Sequence, residues 1–391
     1  MRRAADNGQV SILAVLDLSA AYDTLDPTIL FERLHSFVGI SNVALDWFKS
    51  YITNRTMSVY TDDGNSKESV IKYGVPQGSV LGPILFLIYI LPLGILLRRL
   101  GIEFHIYADD TQIFISCSLT DIQAVTENLK LAYNILTEFL SANFLKMNHD
   151  KTDILLIGTP KNVSKAKDNL QSSTIYLGNC EVPISTSIKN LGVIFDSSLS
   201  FSDHIQQISK SSLSTLRNLR HIRPYFNQQG FEIFMHAFIF SKLDYCNALF
   251  TGITDHNLRL LQLIQNYAAK IVLNKRKYDH ASPLLRELHW LPVKYRIDYK
   301  SLLICYKARN SLAPQYISML FKPYSRPSNL RNLSPNSLQV PSSKLSSMGD
   351  RAYSVYTPKL WNTLPPDIQT CDSLCKFKKQ LKTYLFNKAF Y

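Results

Sequence analysis

From Val10 to Leu18 every residue but Ser11 and Asp17 is apolar, and Asp17 is the one acid among them. That pattern predicts a buried strand with a carboxylate at its exit. A turn follows through Ser19–Pro27; Pro27 then opens a helix to Phe37, and Ser41 caps a second to about Tyr51. Met57–Thr61 and Ser69–Tyr73 flank Asp62-Asp63-Gly64-Asn65, which reads as a hairpin. A Gly/Pro-rich turn over residues 74–83 feeds Val80–Leu97, nearly free of polarity and closed by Arg98-Arg99. Length alone makes that run a borderline membrane span. Gly82, Pro83, Pro92 and Gly94 interrupt it, and it lies between segments of one soluble site, so the reading is a buried helix and no membrane. Next, Phe104–Ala108 and Ile113–Cys117 enclose Asp109-Asp110, predicting a short hairpin with both acids at its tip.

Helical spacing returns over Asp121–Asn143, and Asn148–Thr152 leads into a strand at Asp153–Ile157. Residues 160–173 are polar and ill-defined. Short strands are expected at Thr174–Leu177, Glu181–Ile184 and Ser187–Phe195, then helices at Asp203–Ile222, Gln228–Leu243 and Asn257–Asn274. Pro283–Asn310 carries His289-Trp290-Leu291-Pro292 and a further helical pattern. Residues 325–348 read as a Ser/Asn/Pro-rich linker, and Phe377–Phe386 as a basic amphipathic segment.

Composition narrows the class. With 391 residues, 46% hydrophobic, the chain has length for two or three domains with ample core. Its six cysteines show no CxxC pair, which speaks against a disulfide framework or zinc site and for reduced thiols in the nucleus or cytoplasm. Too little apolar sequence follows Met1 for a signal peptide. Charge is uneven: residues 1–202 carry 16 Lys/Arg against 20 Asp/Glu, a net −4, whereas 203–391 carry 27 against 10, a net +17. An acidic front with a basic back suits a metal-binding part joined to one that grips phosphates, although a basic soluble surface has the same count. Lys270, Lys275, Arg276 and Lys277 cluster at one helix end. Matching the helix C-terminus accounts for any one of them; together they are candidates for nucleic-acid binding.

Two adjacent carboxylates repel one another, and divalent cations remove that penalty. With a third carboxylate nearby, such a pair can hold two Mg²⁺ in the arrangement used for phosphoryl transfer; a plain solvated turn is the alternative. Asp17, the turn Gly74-Val75-Pro76-Gln77-Gly78 and Asp109-Asp110 follow in one order. LDLSAAYDTLD (16–26), GVPQGSVLGPILF (74–86), YADDTQIF (107–114), LKMNHDKTDIL (145–155) and IKNLGVIFDSSLSFSDHI (188–205) resemble successive motifs of reverse transcriptases of LINE-type (non-LTR, jockey-like) retrotransposons. LDYCNALF (243–250), HWLPVKYRI (289–297) and GDRAYSVYTPKLWNTLP (349–365) are similar to the carboxyl-terminal part of the same proteins.

The resemblance implies an α+β fold: a polymerase-type palm, an antiparallel sheet with helices on one face, over 1–200, a helical thumb-like region over 201–280 and a basic carboxyl-terminal domain over 281–391. It implies an RNA-directed DNA polymerase taking an RNA template, a DNA primer and dNTPs. Asp17, Asp109 and Asp110 would hold two Mg²⁺ (or Mn²⁺) ions with the Leu18 carbonyl. Tyr22 would exclude a 2′-hydroxyl, Gln77 and Gly78 would face template and nucleotide, and Lys151 would neutralise or protonate pyrophosphate. Only sixteen residues precede Asp17, so the expectation is a 5′-truncated copy without endonuclease or fingers, weak or inactive alone, with apolar surface open around Val10–Leu16. The alternative is a non-catalytic nucleic-acid-binding remnant.

Overall fold

The apolar run at Val10 becomes the central strand of a six-stranded sheet. The computed structural model describes residues 1–178, 180–324 and 336–391. These fall into two units: Gly8–Leu191, the sheet unit, and Met1–Asn7 with Gly192–Tyr391, the helical unit.

The chain opens with α1 (Arg2–Asp6) and then enters the sheet unit at β1 (Val10–Ser19). Helix α2 (Pro27–Ser36) starts where Pro27 is predicted to start it, and the Asp26 carboxylate accepts the N–H groups of Thr28 and Ile29. After α3 (Asn42–Ile52), the expected hairpin is two short ladders, β2 (Arg55–Met57) with β5 (Ser69–Ile71) and, inside them, β3 (Tyr60–Thr61) with β4 (Gly64–Asn65). Helix α4 (Gly82–Arg99) is followed by the hairpin β6 (Glu103–Tyr107) and β7 (Asp110–Cys117), then α5 (Ile122–Ala142), β8 (Lys146–Ile157), α6 (Pro160–Leu170), β9 (Thr174–Leu177), β10 (Cys180–Ser185) and β11 (Ser187–Asn190). The strand order is β6-β7-β1-β8-β10-β9, antiparallel except for the parallel pair β8–β10. Val10, Ile12, Ala14 and Leu16 project to one face and share a core with Ile113, Ile154, Leu156 and residues of α2, α4 and α5. The unit is α+β.

Two expectations about apolar surface change. Val10–Leu16 is buried along its whole length, at 8% exposure or less, and leaves no open apolar face. Helix α4 is long and apolar enough to cross a membrane, yet it is buried on one side only. Leu85, Phe86, Tyr89, Leu93 and Leu97 enter the core, whereas Ile84, Leu87, Leu91 and Ile95 stay exposed, because a core on one side of a helix covers about half its circumference.

In the helical unit, the short strand β12 (Val193–Asp196) leads to α7 (Ser202–Ile222) and α8 (Gln228–Met235). The helix expected over 228–243 contains a π-helical turn, His236–Phe240, before α9 (Ser241–Asp244). Helices α10 (Asp255–Val272), α11 (Ala281–Glu287), α12 (Val293–Arg309), α13 (Gln315–Ser318), α14 (Tyr353–Trp361), α15 (Pro366–Gln369) and α16 (Leu374–Phe390) follow. Of the expected linker 325–348, residues 325–335 lie outside the described residues. Beyond them the chain is anchored, with Leu338 N–H donating to Asn362 Oδ1 at 2.8 Å and Leu338 and Met348 buried.

Candidate active site

β1 carries Asp17 near its end, where its two neighbouring strands behave differently. On the β7 side the register runs in step to Leu16↔Thr111, so the next position brings Asp17 level with Asp110. On the β8 side, Val15 pairs with Asp153 but Asp17 pairs with Asn148, an irregularity that bulges residues 149–152 outward. The bulge explains why a polar stretch belongs to a strand: Asn148 and Lys151 both turn to Asp17 instead of alternating with core positions. Asn148 Nδ2 donates to Asp17 Oδ2 at 3.1 Å, and Lys151 Nζ lies 3.4 Å from the same oxygen. Asn148 was not singled out from the sequence as a site residue. The signal for it was its place in the quoted stretch LKMNHDKTDIL.

Asp109 and Asp110 occupy the tip of the β6–β7 hairpin. Tyr107 pairs with Asp110, leaving Ala108-Asp109 as a two-residue loop, with Ala108 at φ +53°. An L-residue in that region costs about 1–2 kcal/mol, strain the flanking ladder holds in place. Burial, then Asp109, then Asp17 push the Asp110 carboxyl above its ordinary range, and Lys151 opposes them. Asp110 therefore feels both other carboxylates and the ammonium.

Tyr22 stands beside them. Its ring packs on Phe86 with centroids 4.9 Å apart, and burial followed by the charge of Asp109 raises its hydroxyl pKa. The turn carrying Gln77 and Gly78 is stitched to the turn carrying Tyr22. Gly74 N–H donates to Leu25 O at 2.8 Å and Val75 N–H to Tyr22 O at 2.9 Å. Gln77 Nε2 donates to Asp23 Oδ1 at 2.8 Å, so Gln77 binds the neighbouring turn, and Asp23 has a fastening role that sequence reasoning missed. Gly74 is required here: at φ +79°, a Cβ would come 2.8 Å from Tyr22 O. Gly78, at φ +78°, faces open space.

The carboxylates are hard oxygen donors under mutual repulsion, which suits Mg²⁺. Among the described residues no three His, Cys, Asp or Glu side chains already converge on one point, so holding an ion requires these side chains to turn toward each other.

In the helical unit, Lys270, Lys275 and Lys277 line a cavity of about 540 Å³ together with Arg220, Arg223 and Tyr267, with no acid in its wall. Arg276 is not part of it. Two of these cations serve the backbone: Arg223 donates to the carbonyls of Ile271 and Val272, and Lys270 donates to Lys277 O. That leaves Arg220, Lys275 and Lys277 facing the cavity without an anion among the described residues.

Residues 1–195 match the family described as reverse transcriptase (RNA-dependent DNA polymerase). The RNA-directed DNA polymerase from mobile element jockey of Drosophila melanogaster is 26% identical over 214 residues, 53% of this chain and 22% of that protein. The probable RNA-directed DNA polymerase from transposon BS of the same species is 23% identical over 310 residues, 76% of this chain and 32% of its own length. The chain thus spans between a fifth and a third of these relatives. Telomerase from Candida albicans in complex with a fragment of telomeric RNA shares 16% identity at a TM-score of 0.35, over 76% of this chain and 50% of its own, a likeness too loose to bear on the fold. By its family match and its named relatives, the chain belongs to the reverse transcriptases of the LINE-type, non-LTR kind, with its reverse transcriptase domain in residues 1–195.

Proposed function

We propose that this chain performs RNA-directed DNA synthesis, joining dNTPs to the 3′-hydroxyl of a DNA primer on an RNA template, in the nucleus or cytoplasm, with α4 as a core helix and not a membrane span. The observation that carries this reading is the meeting of Asp17 with Asp109 and Asp110, brought level by the register of β1 with β7. Asp17, Asp109, Asp110 and the Leu18 carbonyl would hold two Mg²⁺, which lower the pKa of the primer hydroxyl and neutralise the departing pyrophosphate. Lys151 places a positive charge at the same edge, where it balances Asp17 and can receive the pyrophosphate's charge. The Tyr22 ring packs on Phe86 and is near enough to Asp109 to feel its charge, which supports a role in excluding a sugar 2′-hydroxyl. Gln77, tied to Asp23, and Gly78, with open space before it, present backbone to template and nucleotide. The test is incorporation of labelled dNTPs by the full chain with template, primer, dNTP or Mg²⁺ omitted in turn. Synthesis that needs all four is expected; addition without a template, or none under any condition, contradicts the proposal.

The cationic cavity supports a second role, holding nucleic acid by its phosphates. Replacing Arg220, Lys275 and Lys277 with Ala should weaken RNA binding and flatten its salt dependence by a slope of about 2–3, since each phosphate contact contributes about 0.7–0.9. An unchanged slope removes this role.

A further inference from the structure

The stretch His289-Trp290-Leu291-Pro292 has no part in the chemistry above, yet its first three residues wall a second cavity in the helical unit, of about 460 Å³. The rest of the wall comes from Glu232 on α8 and the π-helical turn at His236, from Asp244 on α9 with Asn247 after it, from Arg296–Leu303 on α12, and from Lys382 on α16. Single π-helical turns of this kind are frequent at functional sites. Here the turn sets His236 over Phe240, centroids 4.9 Å apart, and Phe240 in turn meets Trp290 edge-on at 4.6 Å. The floor is therefore aromatic and fixed.

The charges sort into spent and unspent. Arg296 lies 4.5 Å above the Phe240 ring and gives both Nε and Nη2 to the two oxygens of Asp244, so its planar fork and that acid satisfy each other. The other acid, Glu232, accepts from Gln228 Nε2 at 3.1 Å. Lys300 and Lys382 line the same cavity, are exposed, and have no ion-pair partner among the described residues. Burial and then Arg296 hold the His236 imidazole below its ordinary pKa, leaving it neutral at pH 7 and free to hydrogen-bond. With the guanidinium fork occupied, the remaining cations are two ammonium point charges, of the kind that bind phosphate oxygens without a fixed bidentate geometry. The volume is that of a nucleotide-sized ligand.

We propose that this cavity binds a phosphate monoester of a nucleotide, with the phosphate on Lys300 and Lys382, His236 as hydrogen-bond partner, and the sugar and base against the Trp290–Tyr299 wall. The site is independent of the carboxylates on β1 and β7, and its ligand is either a free nucleotide or the phosphorylated end of a strand. Equilibrium dialysis of the full chain in EDTA tests it, with AMP, adenosine and RNA decamers bearing a 5′-phosphate or a 5′-hydroxyl. AMP should bind saturably and adenosine should not. Lys300→Ala with Lys382→Ala should weaken AMP roughly tenfold or more, the loss expected for a charge-assisted contact, at an unchanged melting temperature. Lys300→Gln alone, at an exposed position, should lose part of that affinity. Asp17→Asn and the Arg220/Lys275/Lys277 variant should bind AMP as the parent does, which separates this site from the polymerase reading. Competition with AMP by the 5′-phosphorylated decamer only identifies a strand end, and its failure identifies a free nucleotide. Absence of saturable AMP binding, or equal affinity in the Lys300/Lys382 variant, overturns the proposal.

Discussion

Asp110 stores the electrostatic cost of the site. Burial, Asp109 and Asp17 all favour its protonated form, so the folded chain holds that proton to a higher pH than the unfolded chain does. The sign follows: Asp110 contributes stability below its unfolded pKa and loses it as pH rises through the raised folded value. Asp110→Asn should therefore raise the melting temperature at pH 7 relative to the parent and change it little at pH 3. Scanning calorimetry at the two pH values checks this, and an equal shift at both would mean that the carboxylates do not repel. His204 has the opposite sense. It is buried, its Nδ1 accepts Ile194 N–H at 3.4 Å, and burial lowers its pKa, so its contribution is present above the ordinary value of 6.5 and lost as pH falls through the lowered one. Both acids of the tip were readable from Asp109-Asp110 in an apolar setting. The partnership of Asp17 with Asn148 was not, because it depends on a register irregularity with no local sequence pattern.

At the scale of elements, the site depends on two turns held together by backbone hydrogen bonds. Gly74→Ala places a methyl group against Tyr22 O and the Asp23 backbone at 2.8–2.9 Å, in a left-handed conformation. It should cost about 1–3 kcal/mol and move Tyr22 and Gln77. Gly78→Ala has the same φ but open space, so only the conformational cost of about 1–2 kcal/mol applies. Urea unfolding of the two variants checks the difference; equal losses would mean that the turns are not in contact. Strong periodicity made most elements legible, among them β1, α2, α5, α7 and α10. β8 was legible only from Asp153 onward, because Lys146–Thr152 is polar and is held as strand by its pairing with β1. The π turn inside the helix expected at 228–243 was likewise hidden, since hydrophobic spacing cannot distinguish one inserted residue. α4 reads as buried all round because its sequence is apolar all round, and only packing decides which face is covered.

At the scale of the molecule, the first seven residues belong with the helical unit, which no sequence pattern announces. The Asp6 carboxylate, almost fully buried, accepts the N–H groups of Lys344 and Leu345 at 2.7–3.2 Å, and any side chain at Gly349 would overlap it. Arg2 donates to the carbonyls of Arg351, Leu199 and Leu249, and its burial lowers its pKa to about 9. Partners some 340 residues apart leave no local trace, so no pattern within residues 1–7 predicts them. Asp6→Ala strands two N–H groups and should destabilise the helical unit by about 1–3 kcal/mol per group left unpaired, seen as faster amide exchange around Lys344. Unchanged exchange there would mean that α1 does not hold this unit. The reactive centre lies in the sheet unit, where Asp17 meets the hairpin tip. The most direct measurement is single-nucleotide incorporation on a primed RNA template by the parent, Asp17→Asn, Asp109→Asn and, as a control on the exposed β3–β4 turn, Asp62→Asn, at equal folded concentration. Losses of about a hundredfold or more are predicted for Asp17→Asn and Asp109→Asn, in line with removing a preorganised electrostatic partner, and none for Asp62→Asn. Incorporation that survives in the Asp17→Asn/Asp109→Asn double variant would contradict the account.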